Sequence, residues 1–265
     1  MPVISQIWHT LLVTPIFNLL MVLYKYSGSL GFSIIILTII IRAILIPLVL
    51  PSLKNMKKQR DLQPELDKIK QKYKYDKKKQ AEMQMELFKK HGLNPASGCL
   101  SQVWMIVILI ALYNVINTFA IGVTTQHIND LLYFGFLKLD LKETVNTTFF
   151  YLNLAKPDPF YILAVLSGIF QFFSSKMMAP YVEAGESAAL KTKDKSDDIA
   201  YNMQEQMLYL MPLMTVIIGL KLPAGAVLYI LVTTIFSLVQ QYFVSGWGGL
   251  TPWIKKIAVY GKKAR

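Results

Sequence analysis

Arg42 stands in the middle of an apolar stretch, TIIIRAILIPL, residues 38 to 48. A guanidinium is always ionised, and its chemistry is to attract and hydrogen-bond an anion or a carbonyl oxygen. The residue falls about ten positions into a run that opens near Phe32, or ~15 Å from that end at the helical rise. An arginine at such depth in a bilayer costs ~2.5–3.5 kcal/mol on insertion scales. A partner is therefore expected. Yet five long apolar runs hold no Asp or Glu in their interiors, and Glu205 only borders the fourth.

Three environments would accommodate the charge. The side chain could snorkel toward the nearer aqueous end, about eight residues or ~12 Å away. It could bond carbonyls freed near Pro47. It could face a hydrophilic cavity among the helices. Candidates to line such a cavity are Thr38, one turn earlier on the same face, then Gln102, Asn114 and Asn117 in or beside the second run. Gln171 in the third and Gln240 and Gln241 in the fifth complete the set. Each amide taken singly is better explained by a hydrogen bond between helices. A cationic cavity without a resident anion calls for a visiting one. A polar or acidic peptide segment crossing the bilayer fits, and so does the solute of an anion channel or transporter.

The composition agrees with a membrane setting. Of 265 residues, 54% are hydrophobic and 17% charged, and the mean hydropathy is +0.40. Soluble domains carry more charge, about a quarter of their residues. The apolar residues are bunched in runs that approach the ~20 residues of a membrane span. Cys99 is the single cysteine, so neither an intrachain disulfide nor a cysteine-based metal cluster is available. His9, His91 and His127 lie far apart in sequence. No Walker-type phosphate loop, catalytic triad or credible metal site is present, so neither an enzyme nor a cofactor is expected.

The runs that must position Arg42 are about 32–50, 103–123, 160–178, 207–220 and 224–244. The motif KLPAG (221–225) makes the last two a hairpin. Residues 4–25 are apolar, interrupted by Pro15 and flanked by Trp8, Tyr24 and Tyr26. They read as an amphipathic helix in the interface, with an additional span as the alternative. The expected organisation is an interfacial segment 1–31, a five-helix core 32–244 and a basic tail 245–265. Segment 53–92 holds two helical patterns, with Leu66, Ile69 and Tyr73 on one face and Met83, Leu87 and Phe88 on another. Pro64 suits a first turn and Gly92 a C-terminal cap. The segment reads as a basic helical hairpin, either a solvated connector or a docking arm. Residues 186–198, ESAALKTKDKSDD, read as a mobile loop.

Basic residues orient the chain. Segment 53–92 carries thirteen Lys or Arg, and 124–158 carries three. The positive-inside rule puts 53–92, 179–203 and the tail in the cytoplasm, with the N-terminus outside. The net charge of +12 follows from these loops and does not call for DNA.

Several motifs resemble the YidC/Oxa/Alb membrane protein insertases: GFSIIILTIIIRAILIPL (31–48), MKKQRDLQPELDKIK (56–70), NPASGCL (94–100), DPFYILAVLSG (158–168), MPLM (211–214) and LPAGAVLYILVTTIFSLVQQ (222–241). The resemblance is to the short bacterial form, without a large extracytoplasmic domain before the first span. It implies an all-α fold, with five transmembrane helices around a hydrophilic groove and a mobile cytoplasmic hairpin. By motif the groove arginine is Arg42, with Thr38 beside it, and Tyr229 holds the first place of an aromatic pair. The implied activity is insertion of hydrophobic segments of nascent membrane proteins into the bilayer of the bacterial inner membrane. The implied partners are those clients, membrane lipid, the ribosome through the tail and hairpin, and the Sec translocon. Two departures stand out: Ser101, Met105 and Val107 replace the usual second-span pattern, and Ile230 replaces the second aromatic.

Overall fold

The computed structural model describes residues 6–94, 100–120, 125–140, 145–178 and 199–256, with the backbone alone described at 100–102, 120, 127 and 199–207. The loop expected at 186–198, motif residues 95–99 and the tail past Lys256 lie outside the described residues.

A single π-type turn, His9–Val13, leads into α1 (Thr14–Ser27), with Pro15 in the first turn and Gly28 in a left-handed conformation at its end. Next come α2 (Leu30–Asp61), α3 (Gln63–Lys72), α4 (Lys77–Lys90), α5 (Leu100–Ala120) and α6 (Thr125–Asp130). A two-stranded hairpin follows, Thr148–Phe149 paired with Leu152–Asn153, before α7 (Ile162–Met178), α8 (Ile199–Gly219) and α9 (Ala224–Ser245). Two helices are longer than the apolar runs they carry. The helix of the first run, α2, continues through Pro47 and Pro51 to Asp61. Each proline costs a helix ~3 kcal/mol. Beyond them Ser52 and Leu53 are buried, and Lys57 Nζ donates to the Val244 carbonyl at 3.3 Å. These contacts hold the extension. The fourth run, apolar over Leu208–Gly219, is preceded by further helix from Ile199, where Met, Gln and Glu are good helix formers.

The chain divides into two compact units. The first comprises Met1–Leu45, Val103–Gln171 and Pro212–Phe236. Its core takes residues from α1, α2, α5, α7 and α9 at spacings of three and four, as in Phe17, Leu20 and Met21 or Ile108, Ala111, Leu112, Val115 and Ile116. Small residues bring backbones close. A Cβ at Gly168 would meet the Val216 side chain and, at 3.3 Å, the Pro212 carbonyl; one at Gly225 would meet Ile116 Cδ1 at 2.9 Å. The Gly225 and Ala224 amides donate to the Leu154 and Lys156 carbonyls at 2.9 and 2.7 Å, so the connecting loop satisfies the first turn of α9. Asp158, buried, does the same for α7: its carboxylate accepts from the Leu163 amide at 2.9 Å and from Phe160 at 3.0 Å. Partial burial, and then the Asp158 charge beside it, raises the Tyr151 phenol above its usual pKa. The loop also binds α1. Asn18 Nδ2 donates to the Leu131 carbonyl at 2.9 Å, and Asn18 Oδ1 accepts from Tyr133 at 2.7 Å. Tyr24 Oη accepts from Asn146 at 3.0 Å, and Lys25 donates to the Phe136 carbonyl.

The second unit comprises Ile46–Gln102, Phe172–Met211 and Ser237–Arg265. It contains the expected helical hairpin, α3 and α4. Asp76 is the N-cap of α4, accepting from Lys79 at 2.9 Å, and Gly92 takes a positive φ just past its end. Leu66 is buried and Ile69, Tyr73, Met83, Leu87 and Phe88 are half-buried, as the face pattern predicts. A hydrogen bond from Lys79 to Glu82, with its charge, raises the Lys79 pKa.

The exposed faces are apolar. Ile39, Ile44, Leu48, Ile110, Ile169, Leu213, Ile217, Val239 and Phe243 are each at least a third open. A soluble monomer does not leave such surface on five helices, whereas lipid covers it without cost. By length and composition Gln6–Ser27, Leu30–Asp61 and Ala224–Ser245 suffice to cross a membrane, and shorter apolar helices run over Val103–Phe119, Ile162–Met178 and Leu208–Gly219.

Candidate functional site

In the first unit the α2 stripe of Thr38 and Arg42 is turned inward, one helical turn apart. Arg42 is only 8% exposed and Thr38 1%. Thr38 Oγ1 donates back to the Ile34 carbonyl at 2.6 Å, so its hydroxyl is spent within its own helix. Arg42 has no hydrogen-bond or ion-pair partner among the described residues. Its charge interacts with Tyr229 of α9. Tyr229 is 1% exposed, and its hydroxyl donates to the Met105 carbonyl on α5 at 3.3 Å. One turn on, Thr233 is fully buried; its hydroxyl sits beside the phenol but in no well-formed hydrogen bond among the described residues. Trp104, next to Met105, keeps a buried indole N–H likewise unpaired among them.

Arg42, the Tyr229 phenol and the Thr233 hydroxyl form a group rich in donors, with no anion paired to it among the described residues. Buried polar groups normally find partners. The arrangement is therefore suited to receive a carbonyl or carboxylate from outside, or ordered water.

The other sequence candidates are divided between the two units. Asn114 and Asn117 are half-buried on α5 and Gln171 on α7, all in the first unit. The Asn114 backbone carbonyl accepts from Thr118 Oγ1 at 3.1 Å. Gln240 and Gln241 belong to the second unit. There Gln241 Nε2 donates to Ser174 Oγ at 3.0 Å, and Gln240 Nε2 is buried without a partner among the described residues. Gln102 falls on the first turn of α5, in the second unit, and its side chain lies outside the described residues. Thr233 and Trp104 were missed. Thr233 was findable, being four residues after Tyr229 and so on its face. Trp104 gave no signal, since an indole in an apolar run reads as packing.

Residues 22–248 match the family model described as the 60Kd inner membrane protein. The chain belongs to this family, that of the YidC/Oxa/Alb membrane proteins. It is an all-α polytopic protein of the bacterial inner membrane. A protein of Fusobacterium nucleatum named membrane protein insertase YidC is 36% identical over 220 residues, which cover 83% of this chain and 88% of that protein. The membrane protein insertase MisCA of Bacillus subtilis is 31% identical, over 90% of this chain and 79% of its own. The YidC of Wigglesworthia glossinidia brevipalpis is 30% identical over 89% of this chain, which spans only 37% of that relative's length. A solved structure titled as an active YidC insertase with the first transmembrane domain resolved superposes with a TM-score of 0.53 at 23% identity, covering 83% of this chain and 43% of that one; this likeness is of fold.

Proposed function

We propose that this chain is a membrane protein insertase. It would take hydrophobic segments of nascent membrane proteins and release them into the bilayer, without covalent chemistry. The observation that carries the reading is Arg42, a deep cation with Tyr229, Thr233 and Trp104 in its unit and no acidic partner among the described residues. The polar, translocated part of a client supplies the missing acceptors as its apolar segment moves into lipid. The driving force is that transfer, worth ~25 cal/mol per Å² of apolar area removed from water. The relatives that bear the insertase name support the reading.

In this reading Arg42, Thr38, Asn114, Asn117, Gln171, Tyr229, Gln102, Gln240 and Gln241 line the path. Client tail and cation meet in a cationic hydrophilic groove. The basic hairpin and tail face the cytoplasm and serve the ribosome, the N-terminus faces out, and the Sec translocon is a second partner. Helix α1 lies in the outer interface. Support comes from Asn18, Tyr24 and Lys25, which all bond to the one connecting segment 131–146. A helix crossing the bilayer would diverge from a loop on one side.

The test is reconstitution of the purified protein into liposomes during cell-free synthesis of a small two-span membrane protein. Protease-protected client should appear only with the protein present. Solute flux without client insertion would replace the reading with a channel.

A further inference from the structure

The segment that connects α6 to α7 carries aromatic residues that neither the core nor the insertase reading uses. Thr148–Phe149 and Leu152–Asn153 are paired strands, so Phe150 and Tyr151 form the two-residue turn between them. Leu152 and Leu154 are buried, while Phe150 is 84% exposed and Tyr151 and Phe160 are also open. Phe150 takes a φ of +53°, and Tyr161 one of +58°. A left-handed residue in such a turn is ordinarily Gly, Asn or Asp, because a larger side chain is crowded there. The chain thus holds strained backbone at two aromatic residues and leaves both rings in the open. Neither the turn geometry nor the core accounts for the Phe150 ring.

The depth of the hairpin follows from the helices it closes. The Phe149 ring lies over Gly31, in the first turn of α2, where a Cβ would strike it. Asp158 caps α7, and the Leu154 and Lys156 carbonyls accept from the first amides of α9. Three apolar helices therefore begin at this level. From Leu30 to Leu50 is about twenty residues of α2, or ~30 Å, the thickness of a hydrocarbon core. The hairpin stands at one boundary of that core, and it stands beside lipid-facing surface. Phe149 meets Phe32 edge to face at 5.3 Å and Phe150 at 4.7 Å. Phe32 heads an exposed stripe with Ile36 and Ile39 on α2. Tyr151 packs against Phe160 at 5.7 Å, next to the exposed Ile162, Val165 and Ile169 of α7. The rings therefore continue two apolar helix faces past the helix ends. Apolar and aromatic surface at this depth settles between headgroups and acyl chains.

We propose that the tip of this hairpin, with Phe150 foremost, is an anchor seated in the bilayer at the boundary of headgroups and acyl chains. In the orientation proposed above this is the outer leaflet. Tyr151 and Phe160 enter beside Phe150, and transfer of the Phe150 ring from water to lipid offsets its strained turn. The occupant is lipid rather than a partner protein, because the rings extend faces that lipid already covers.

The experiment places a nitroxide at Phe150→Cys or Phe160→Cys in a Cys99→Ser background, with the full chain in liposomes of phosphatidylglycerol and phosphatidylcholine. Collision with oxygen, which partitions into lipid, is compared with collision with a water-soluble nickel chelate. Ile39→Cys is the lipid reference and Lys78→Cys the aqueous one. Both aromatic positions should favour oxygen severalfold, as Ile39→Cys does. Phe150→Asn suits the left-handed turn and removes the ring, so it should leave a label at Phe160→Cys severalfold more open to the chelate. Preference for the chelate at both positions, as at Lys78→Cys, overturns the seat. Little collision with either reagent would put the rings against protein, a second copy or a partner, and overturns the assignment to lipid. A Phe160→Cys label that Phe150→Asn does not move overturns Phe150 as the anchor.

Discussion

The Tyr229 hydroxyl donates to the Met105 carbonyl at 3.3 Å, which ties α9 to α5 beside the buried Arg42. The phenol thus packs α9 against α5 and interacts electrostatically with the cation. Tyr229→Phe removes the bond and keeps the ring. It should cost about 0.5–1.5 kcal/mol of stability. Tyr229→Ala opens a cavity and should cost about 3–5 kcal/mol. Thermal unfolding in detergent measures both. A Phe variant as unstable as the Ala variant would mean that the hydroxyl, not the ring, organises this contact.

Asp158 caps α7 with both carboxylate oxygens, and Tyr151 leans on one of them at 3.4 Å. Asp158→Ala leaves two buried-side amides without an acceptor. The expected loss is about 1–2 kcal/mol, typical of an N-terminal cap. It should appear as faster hydrogen exchange at Phe160 and Leu163, with α4 unchanged. Uniform acceleration across the chain would show that the carboxylate holds more than this one helix end.

Gly168 and Val216 define the approach of α7 to α8, since no side chain larger than hydrogen fits at Gly168 without displacing Val216. Gly168→Ala should destabilise by about 1–3 kcal/mol through overpacking. Val216→Ala made alongside it should recover much of that loss, because the clash is with a side chain. The two changes must therefore couple in a double-mutant cycle. Simple additivity would remove this contact as the determinant of the spacing.

The apolar runs are legible in the sequence because membrane spans need length and hydrophobicity and little else. Helix ends are less so. The first apolar run ends near Leu50, yet α2 continues to Asp61, since Lys57 and Arg60 find the carbonyls of Val244 and Met177, far away in sequence. Arg42 is conspicuous as one deep charge, and Thr38 follows from helical spacing. The amides were harder. An amide shows no facing in sequence, and Gln240 and Gln241 fall in a different unit from Tyr229 although all three lie on α9. Arg60 was hidden differently, as one basic residue among thirteen in its segment.

The orientation can be read with single cysteines in a Cys99→Ser background. Lys78 on α4 and Lys138 in the loop after α6 are both exposed. Lys78→Cys should react with a membrane-impermeant maleimide only in inverted vesicles, and Lys138→Cys only in intact cells. The bias of thirteen basic residues against three predicts this. Labelling of Lys78→Cys in intact cells would reverse the topology and remove the cytoplasmic role of the hairpin.

On the proposed insertase reading, Arg42 attracts the translocated segment of the client. Its burial and lack of an acidic partner among the described residues predict that sign and position matter more than donor geometry. Arg42→Lys should retain much of the activity, although an ammonium lacks the planar fork and gives up its proton more readily when desolvated. Arg42→Ala should impair clients with acidic translocated tails most and neutral-tailed clients least. Arg42→Glu should be worst for acidic tails, because like charges meet where screening is weak. Thr38→Val should be nearly silent, since the hydroxyl it removes only bonds back to the Ile34 carbonyl. The measurement is insertion in cells of one client whose translocated tail carries zero, one or two Asp. A loss on Arg42→Ala that grows with each Asp supports electrostatic attraction of the tail. An equal loss at every tail charge would make Arg42 a structural residue that shapes the packing of α2 against α9, and would leave the client's polar segment to be drawn across by some other part of the protein.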